Sequence, residues 1–266
     1  MVEIVEEPED NQPQSGGAGP SNARPPPAPG ASVSAFVREN TMECVLFASR
    51  VMTVFFAVNF LLPFVGWVNY ESAYYKVFIA SAATFALRLH TRVSGTFALN
   101  AGFFQRLMSE DAFHYLIYSV LFIMSAPVTM ALLPVTIYAF LHATTFLAKM
   151  LRATGHNSPI VGKIENFNSA QLQNALGIIA CSEIFLVPLL VSLIFSGKSS
   201  LFLPFAYYRF LTLRYASRRN ASTRQAFYQM RVSLENVASS ASCPQIVRTF
   251  IHKTVAFLSS RAPPVM

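Results

Sequence analysis

A run of thirty-seven residues without a formally charged side chain lies between Asp111 and Lys149. A single membrane-spanning helix needs roughly 20 apolar residues, whereas a helix of the whole run would be about 55 Å long at about 1.5 Å per residue. Pro127 and Pro134 lie near the middle, where proline removes a backbone donor and clashes with the preceding turn. The run therefore predicts a helical hairpin in the membrane, either barely spanning it or wedged into one leaflet.

The composition of the whole chain agrees with a membrane protein. Hydrophobic residues make up 53% and charged residues 12%, whereas soluble domains carry roughly 25% charged residues. The 24 Phe and 10 Tyr suit a protein that faces lipid and the membrane interface. We predict an all-α, multi-pass membrane protein with hydrophobic helical hairpins and C-terminal amphipathic helices.

Three regions follow from the distribution of charge along the chain. Residues 1–35 form an acidic tail rich in Pro and Gly, which is typical of a disordered segment and unlike a secretory signal. Residues 36–213 form the hydrophobic helical membrane domain. Residues 214–266 form a basic, cytosolic tail of amphipathic helices.

Three pairs of hydrophobic segments divide the membrane domain. The first pair is the uncharged stretch between Arg50 and Glu71, with Pro63 and Trp67 near its end, and the shorter stretch Val77 to Leu87. The central hairpin is the second pair. The third pair is Ala175 to Ser196, which contains Pro188, and Ser199 to Leu213, which is interrupted by Pro204 and Arg209. The aromatic residues near the end of the first stretch are placed like an interfacial belt: Trp67, Tyr70, Tyr74 and Tyr75.

The orientation follows from the Lys and Arg residues of the connecting loops. If both termini are cytosolic, the cytosolic loops 88–111 and 149–175 hold six of these residues, whereas the lumenal turns hold two, Lys76 and Lys198. We therefore expect both termini in the cytosol.

The end of the chain is strongly basic. Residues 198–266 contain ten Lys or Arg and one acidic residue, Glu235, and Arg214, Arg218 and Arg219 follow directly on the last apolar segment. Such clusters are attracted to anionic lipid headgroups by about 1 kcal/mol per charge; alternatively, the cluster is only a topology signal. Nucleic-acid binding is not expected, because a membrane span precedes the cluster and no nucleic-acid motif accompanies it.

Two helical patterns lie within this tail. Phe227, Met230, Leu234 and Val237 recur at helical spacing before Cys243-Pro244, and a second apolar stripe follows opposite Arg248 and Lys253. Such helices suit a membrane interface, although the two stripes could equally pack on each other or on the membrane domain. The predicted lipid-binding residues are Arg214, Arg218, Arg219, Val247, Arg248, Phe250, Ile251, Lys253, Val255 and Leu258.

Glu183 is the one acidic residue inside a predicted span. Ionisable groups in the membrane are costly and are functional candidates by default, so a transporter or channel built around Glu183 is an alternative function. A structural pair is the simpler interpretation, with His114, His142 and Arg209 as candidate partners.

The sequence offers no pattern typical of catalysis. Cys44, Cys181 and Cys243 are far apart and do not have the spacing of a disulfide framework or a zinc site. Because a nucleophile triad, a phosphate-binding loop and a metal-ligand set are also missing, we expect no enzymatic activity and no cofactor or metal.

Five motifs occur in an order that resembles the transmembrane protein 33 family, also called Krüppel homologue 2, with its fungal pore-membrane relatives. They are Ala86-Leu87-Arg88-Leu89-His90, His114-Tyr115-Leu116-Ile117-Tyr118-Ser119, Pro127-Val128-Thr129-Met130, Glu183-Ile184-Phe185-Leu186 and Tyr207 to Tyr215. The resemblance runs from about residue 36 to the end. One departure is Ala221, where relatives have proline after Arg-Arg-Asn.

This resemblance implies a membrane protein of the endoplasmic reticulum and nuclear envelope without known catalysis. It implies a role in organising the tubular reticulum and membrane curvature, with the lipid bilayer, reticulon-type shaping proteins and nuclear pore components as partners. A scaffold for stress signalling from the reticulum is a further alternative. By resemblance to the fungal relatives, Val247 to Leu258 would form a membrane-binding helix.

Overall fold

A computed structural model describes residues 32–62, 69–93, 101–155, 159–197, 199–240 and 242–263, and the chain in these ranges is helical without strands. The all-α prediction is confirmed. The helices are α1 Val33–Glu39, α2 Thr41–Leu61, α3 Tyr70–Val93, α4 Ala101–Ser109, α5 Asp111–Ile123, α6 Leu132–Ala153, α7 Pro159–Phe195, α8 Phe202–Ala216, α9 Ala221–Ser239 and α10 Gln245–Ser260. Residues 1–31 of the predicted tail, Pro63, Trp67 and Lys198 lie outside the described residues.

Three of the described helices are long and apolar enough to cross a membrane: α2, α7, and α6 together with the short 3-10 helix Thr129–Ala131 that precedes it. The first span differs from its prediction, because α2 begins at Thr41 and runs through Arg50. The Arg50 side chain is buried and lines a small cavity with Thr84 of α3 and His142 of α6. The charge of Arg50 therefore does not end this helix.

The central hairpin is present, with arms of unequal length. The arm α5 has 13 residues and is therefore about 20 Å long. The turn contains Pro127, and the second arm α6 has 22 residues. Pro134 is the third residue of α6 and does not end it, because N–H groups in the first turn have no intrahelical acceptor.

The third pair of segments corrects two predictions. The predicted loop 149–175 is helical from Pro159, because α7 is one helix of 37 residues that continues through Pro188. The fixed backbone angle of Pro159 suits the first position of a helix. The residues that follow it in α7 are largely polar, so no apolar run predicted a helix there. Likewise, α8 is uninterrupted, because Pro204 lies in its first turn and Arg209 is exposed beside the Phe205 ring.

Aromatic side chains fill the core between α3, α5 and α8. The rings of Phe78 and Phe122 stack at 5.5 Å, and those of Tyr118 and Phe210 lie 5.0 Å apart. The Tyr118 hydroxyl donates to the carbonyl of Ala131 at 2.8 Å. The core therefore holds the turn of the central hairpin in place.

The C-terminal helices pack on the membrane domain in sequence. Ala226 is buried in the core, and Phe227 and Met230 of α9 pack against it. The helix α10 follows Pro244 and contacts α9, where Ile251 is buried. The packing alternative therefore describes Phe227 and Met230 of the predicted α9 stripe, whereas Leu234 and Val237 are exposed and only part of the predicted α10 stripe is covered.

Candidate functional sites: a buried charge cluster and a C-terminal surface

Two buried helix faces bring opposite charges together. On α7, Ile179, Glu183 and Leu186 are buried at spacings of four and three, which places them on one face. On α8, Tyr207, Phe210 and Arg214 are buried at spacings of three and four. These faces meet, and the side chains of Glu183 and Arg214 are 0% and 2% exposed.

Both oxygens of the Glu183 carboxylate have a donor. Arg214 Nε donates to Oε2 at 3.4 Å, and the Tyr115 hydroxyl donates to Oε1 at 2.5 Å. The guanidinium carbon of Arg214 lies 4.8 Å from the centre of the Tyr115 ring. The Tyr207 hydroxyl donates to the backbone carbonyl of Glu183 at 2.8 Å. The charges are thus paired and hydrogen-bonded, as burial of ions requires.

Asp111, the first residue of α5, extends the cluster outside the three candidate spans. Arg214 Nη1 and the Ser217 hydroxyl donate to its Oδ1 at 3.4 and 3.3 Å, and His114 Nδ1 lies 3.6 Å from that oxygen. Burial alone would raise the pKa of the Asp111 carboxyl, but the contact with His114 and the charge of Arg214 outweigh it and bring the pKa to about 2. Asp111 therefore stays ionised at neutral pH and helps to neutralise Arg214.

The cluster ties α5, α7 and α8 together, and this geometry favours the structural interpretation of Glu183. Its partner is Arg214 and none of the three predicted candidates. The His142 ring stacks on Tyr138, whereas His114 Nε2 lies 2.7 Å from the carbonyl of Met108. Within the part of the chain that the structure describes, Glu183 lines neither the small cavity beside Arg50 nor the groove between α7 and α9.

The burial of Arg214 corrects the predicted lipid-binding surface, which included this residue. Because its side chain is buried against Glu183, it is not available to lipid headgroups. The spacing of Tyr207, Phe210 and Arg214 contains the signal for this burial, since it continues the apolar face of α8. Basic character alone does not reveal it.

Arg218 and Arg219 do lie on the surface. Arg219 Nη1 forms an ion pair with Glu110 at 3.2 Å, and Arg92 binds the same carboxylate at 2.9 Å. Exposed pairs of this kind exchange readily with solvent and contribute little stability. The polar end of α5 therefore carries an exposed basic surface next to the buried cluster.

The structure divides the predicted α10 stripe between two faces. Ile251 is buried and Val255 is half-buried, and Arg248 Nε donates to the carbonyl of Ala238 at 2.8 Å, where α9 ends. Arg248 is therefore engaged in holding α9, whereas Lys253 is exposed. Val247 and Leu258 are also exposed.

The outer face of α10 carries two large apolar residues that the sequence prediction missed. Phe250 is 70% exposed, and Ile246 and Phe257 beside it are 85% and 60% exposed. Their spacings of four and seven residues place all three on one face. That spacing is the sequence signal for this exposed apolar face.

A second group of exposed apolar residues lies at the ends of α5 and α7 and the start of α8. Phe195 is 87% exposed and Leu201 76% exposed, and Met124 and Phe202 are exposed as well. Large exposed apolar patches are rare on soluble monomers. In a membrane protein, these residues suit contact with lipid.

Comparisons with known proteins identify relatives over most of the chain. The family described as Transmembrane protein 33/Nucleoporin POM33 matches residues 25–264. A Transmembrane protein 33 homolog of Caenorhabditis elegans is 70% identical over 88% of this chain and 87% of its own length. Transmembrane protein 33 of Homo sapiens is 42% identical over 89% and 96%, and Krueppel homolog 2 of Drosophila melanogaster is 36% identical over 84% and 80%. No solved structure matches the chain.

Proposed function

The chain belongs to the Transmembrane protein 33/Nucleoporin POM33 family, and from this premise we propose that it is a non-catalytic protein of the endoplasmic reticulum and nuclear envelope that organises membrane curvature. In this proposal both termini are cytosolic, and the polar end of α5 lies at the cytosolic surface. The membrane-protein assignment rests on the family and on the three candidate spans.

The observation that carries the proposal is the shared polar end of two short helices. Arg214 and Ser217 at the end of α8 contact Asp111 at the start of α5. The two helices have 13 and 15 residues and are about 20 and 22 Å long, whereas a bilayer core is about 30 Å thick. With their polar ends at one surface, neither helix crosses the core.

The opposite ends of α5 and α8 support this arrangement. They expose Met124, Leu201 and Phe202, which favour hydrocarbon over water. The two helices then occupy more of the cytosolic leaflet than of the lumenal one. A segment shorter than the core deforms the bilayer around it. Because the cytosolic leaflet is filled more than the lumenal one, the helices favour membrane whose cytosolic face is convex.

The helix α10 supplies a second contact with the cytosolic surface in this proposal. Ile246, Phe250 and Phe257 would insert at the boundary of headgroups and acyl chains, and Arg218 and Lys253 would lie near anionic headgroups. This supports attachment of the basic tail to the membrane that α5 and α8 deform.

We also propose that the protein acts with partners in the membrane. Reticulon-type shaping proteins fit a shared preference for curved membrane, and nuclear pore components fit the nucleoporin in the family description. These partners would concentrate the protein where the reticulum is tubular or joins a pore.

The distribution of the full chain on curved membrane tests the proposal. A fluorescent chain is reconstituted in giant vesicles, and a narrow tube is pulled outwards from the face that carries the C-terminus. In a second set of vesicles the chain has the opposite orientation. The face that carries the C-terminus then lines the concave inside of the tube. We expect enrichment on the tube in one orientation and depletion in the other. Equal density on tube and vesicle in both orientations would contradict the proposal.

A chain that ends at residue 240 separates the two contributions. It lacks α10 but keeps α5 and α8, so it should retain part of the enrichment if the short helices act as proposed. Loss of all enrichment would assign curvature preference to α10 alone.

A further inference from the structure

A groove of about 860 Å³ lies between α7 and α9, and the charge-cluster residues Glu183 and Arg214 are not among its lining residues. Met130 and Leu133, at the start of the long arm of the hairpin, complete its wall. Protein sites for small ligands typically enclose about 300–1,000 Å³. The groove therefore has the volume of a binding site for one molecule.

The groove has a polar part and an apolar part. Gln171 and Asn174 of α7, and Gln225 and Gln229 of α9, supply side-chain amides that both donate and accept hydrogen bonds. Further along α7, Ile178 and Phe185 provide exposed apolar surface. This combination matches an amphiphile with a polar head and an apolar chain.

The lining residues among those the structure describes include no Lys, Arg, Asp or Glu. A phosphate group placed there would lose hydration without gaining a cation, which is costly in an apolar environment. A hydroxyl group would be satisfied by the amides without such a cost. The groove thus favours an uncharged head that both donates and accepts hydrogen bonds.

We propose that this groove binds a neutral membrane lipid with a hydroxyl-bearing head, of the diacylglycerol class. The hydroxyl lies among the amides of α7 and α9, and one acyl chain follows Ile178 and Phe185 towards Leu133. The lipid enters laterally from the bilayer, because this part of α7 belongs to a candidate span.

The chemistry of the lining favours a lipid over a helix of a partner protein. A helix in a groove is held through a row of apolar side chains at i, i+3, i+4 and i+7, whereas much of this lining consists of side-chain amides. A lipid with a polar head and an apolar chain matches both parts of the groove.

Two glycines of α7 provide a matched test. Gly177 lines the groove, and Gly162 lies fifteen positions earlier on the same helix, outside the lining. A Cβ at either glycine would meet no heavy atom within 4 Å. Leucine at either position also favours the helix by up to about 1 kcal/mol. Gly177→Leu therefore places a side chain in the groove, and Gly162→Leu makes the same change elsewhere.

The experiment uses the full chain in nanodiscs with a photoactivatable, clickable diacylglycerol and the corresponding phosphatidylserine. We expect crosslinks from diacylglycerol within residues 171–185 and 225–229, loss of most of that label in Gly177→Leu, and unchanged label in Gly162→Leu. Equal labelling of all three proteins at these residues would overturn the proposal, as would stronger labelling by phosphatidylserine. Thermal unfolding of each variant in detergent verifies that the fold is intact.

The amides are tested separately by Gln225→Leu combined with Gln229→Leu. Since both side chains lie in the polar part, the double variant should bind diacylglycerol more weakly and lose the preference over phosphatidylserine. An unchanged preference would overturn the assignment of the head to these amides. The site does not depend on the proposed role in curvature, because lipid labelling and tube enrichment are measured independently.

Discussion

At the scale of single residues, the pairing of Glu183 with Arg214 has the largest energetic consequence. Removing one partner of a buried ion pair typically costs about 3–5 kcal/mol, because the other charge stays buried without compensation. Removal of Glu183 and removal of Arg214 are not equivalent here. Loss of Glu183 leaves Arg214 beside Asp111 at 3.4 Å, whereas loss of Arg214 leaves two carboxylates without their cation.

We therefore expect Arg214→Met to destabilise the protein more than Glu183→Gln, with a loss of about 3–5 kcal/mol for Arg214→Met. Combining both changes should recover part of the loss, because the buried carboxylate of Glu183 is then neutral. Thermal unfolding in detergent micelles measures these effects. Glu235→Gln is the control, since it removes an exposed pair with Arg231 and should leave the midpoint unchanged. Equal midpoints for Arg214→Met and the control would contradict a structural role of the cluster.

The same residues bear on the transport alternative. Because Glu183 has both oxygens engaged and is excluded from solvent, we expect no proton or ion flux through the protein. Flux measured in liposomes that Glu183→Gln abolishes, while that variant remains folded, would revive the alternative.

At the scale of elements, the exposed face of α10 determines how the basic tail meets a membrane. Burial of one Phe side chain contributes about 1.5–3 kcal/mol, which corresponds to about tenfold or more in affinity. Phe250→Glu should weaken binding of a peptide of residues 244–261 to anionic vesicles by at least this factor. Thr249→Glu adds the same charge at an exposed residue of the polar side and should weaken binding far less. Vesicle sedimentation and circular dichroism measure affinity and helix content.

Salt provides an independent check of the same element. Binding of the unmodified peptide should weaken between about 0.1 and 1 M salt, because the Debye length falls from about 10 to about 3 Å. A peptide that ignores vesicles at every salt concentration would indicate that α10 serves only to pack on α9.

The short arm of the hairpin predicts how deep its turn lies. Ser125 is half-buried and Thr129 exposed, so cysteines there should react with small probes if water reaches them. With α5 about 20 Å long, we expect both positions to be protected from membrane-impermeant reagents added from either side, after Cys44, Cys181 and Cys243 are replaced by Ser. Labelling of both from the lumen would remove the curvature mechanism while leaving the family assignment intact.

At the scale of the whole molecule, the orientation in the membrane is the central prediction. Asn220-Ala221-Ser222 has the pattern of a glycosylation acceptor. However, the Asn220 side chain is buried, and its Nδ2 donates to the carbonyl of Arg214 at 3.1 Å. An unmodified Asn220 is therefore expected in either orientation and says nothing about which side it faces.

An acceptor sequence added after Arg261 tests the orientation without this ambiguity. Glycan transfer takes place only in the lumen, so a cytosolic C-terminus predicts that the added site stays unmodified when the chain is synthesised with microsomes. A mass shift that an endoglycosidase removes would place the basic tail in the lumen. The same acceptor fused behind a cleavable secretory signal serves as the positive control.

The sequence by itself determined the membrane class, the central hairpin and the two C-terminal helices. These depend on local properties: the length of uncharged runs, the positions of Pro127 and Pro244, and the spacing of apolar residues. It also determined the family, through motifs that keep their order along the chain. The uncharged runs did not predict the polar half of α7 or the part of α2 before Arg50. Hydropathy indicates which part of a helix lies in an apolar environment, but it does not indicate where the helix begins or ends.

Only the tertiary structure decided which charges are paired and which apolar residues stay exposed. Arg214 and Arg218 are both basic residues near the end of α8, yet one is buried against Glu183 and the other is exposed. Ile251 and Phe250 are adjacent, yet Ile251 is buried and Phe250 is exposed. In each case the outcome depends on the rotation of a helix against neighbours distant in sequence, and this rotation follows from packing of the whole bundle.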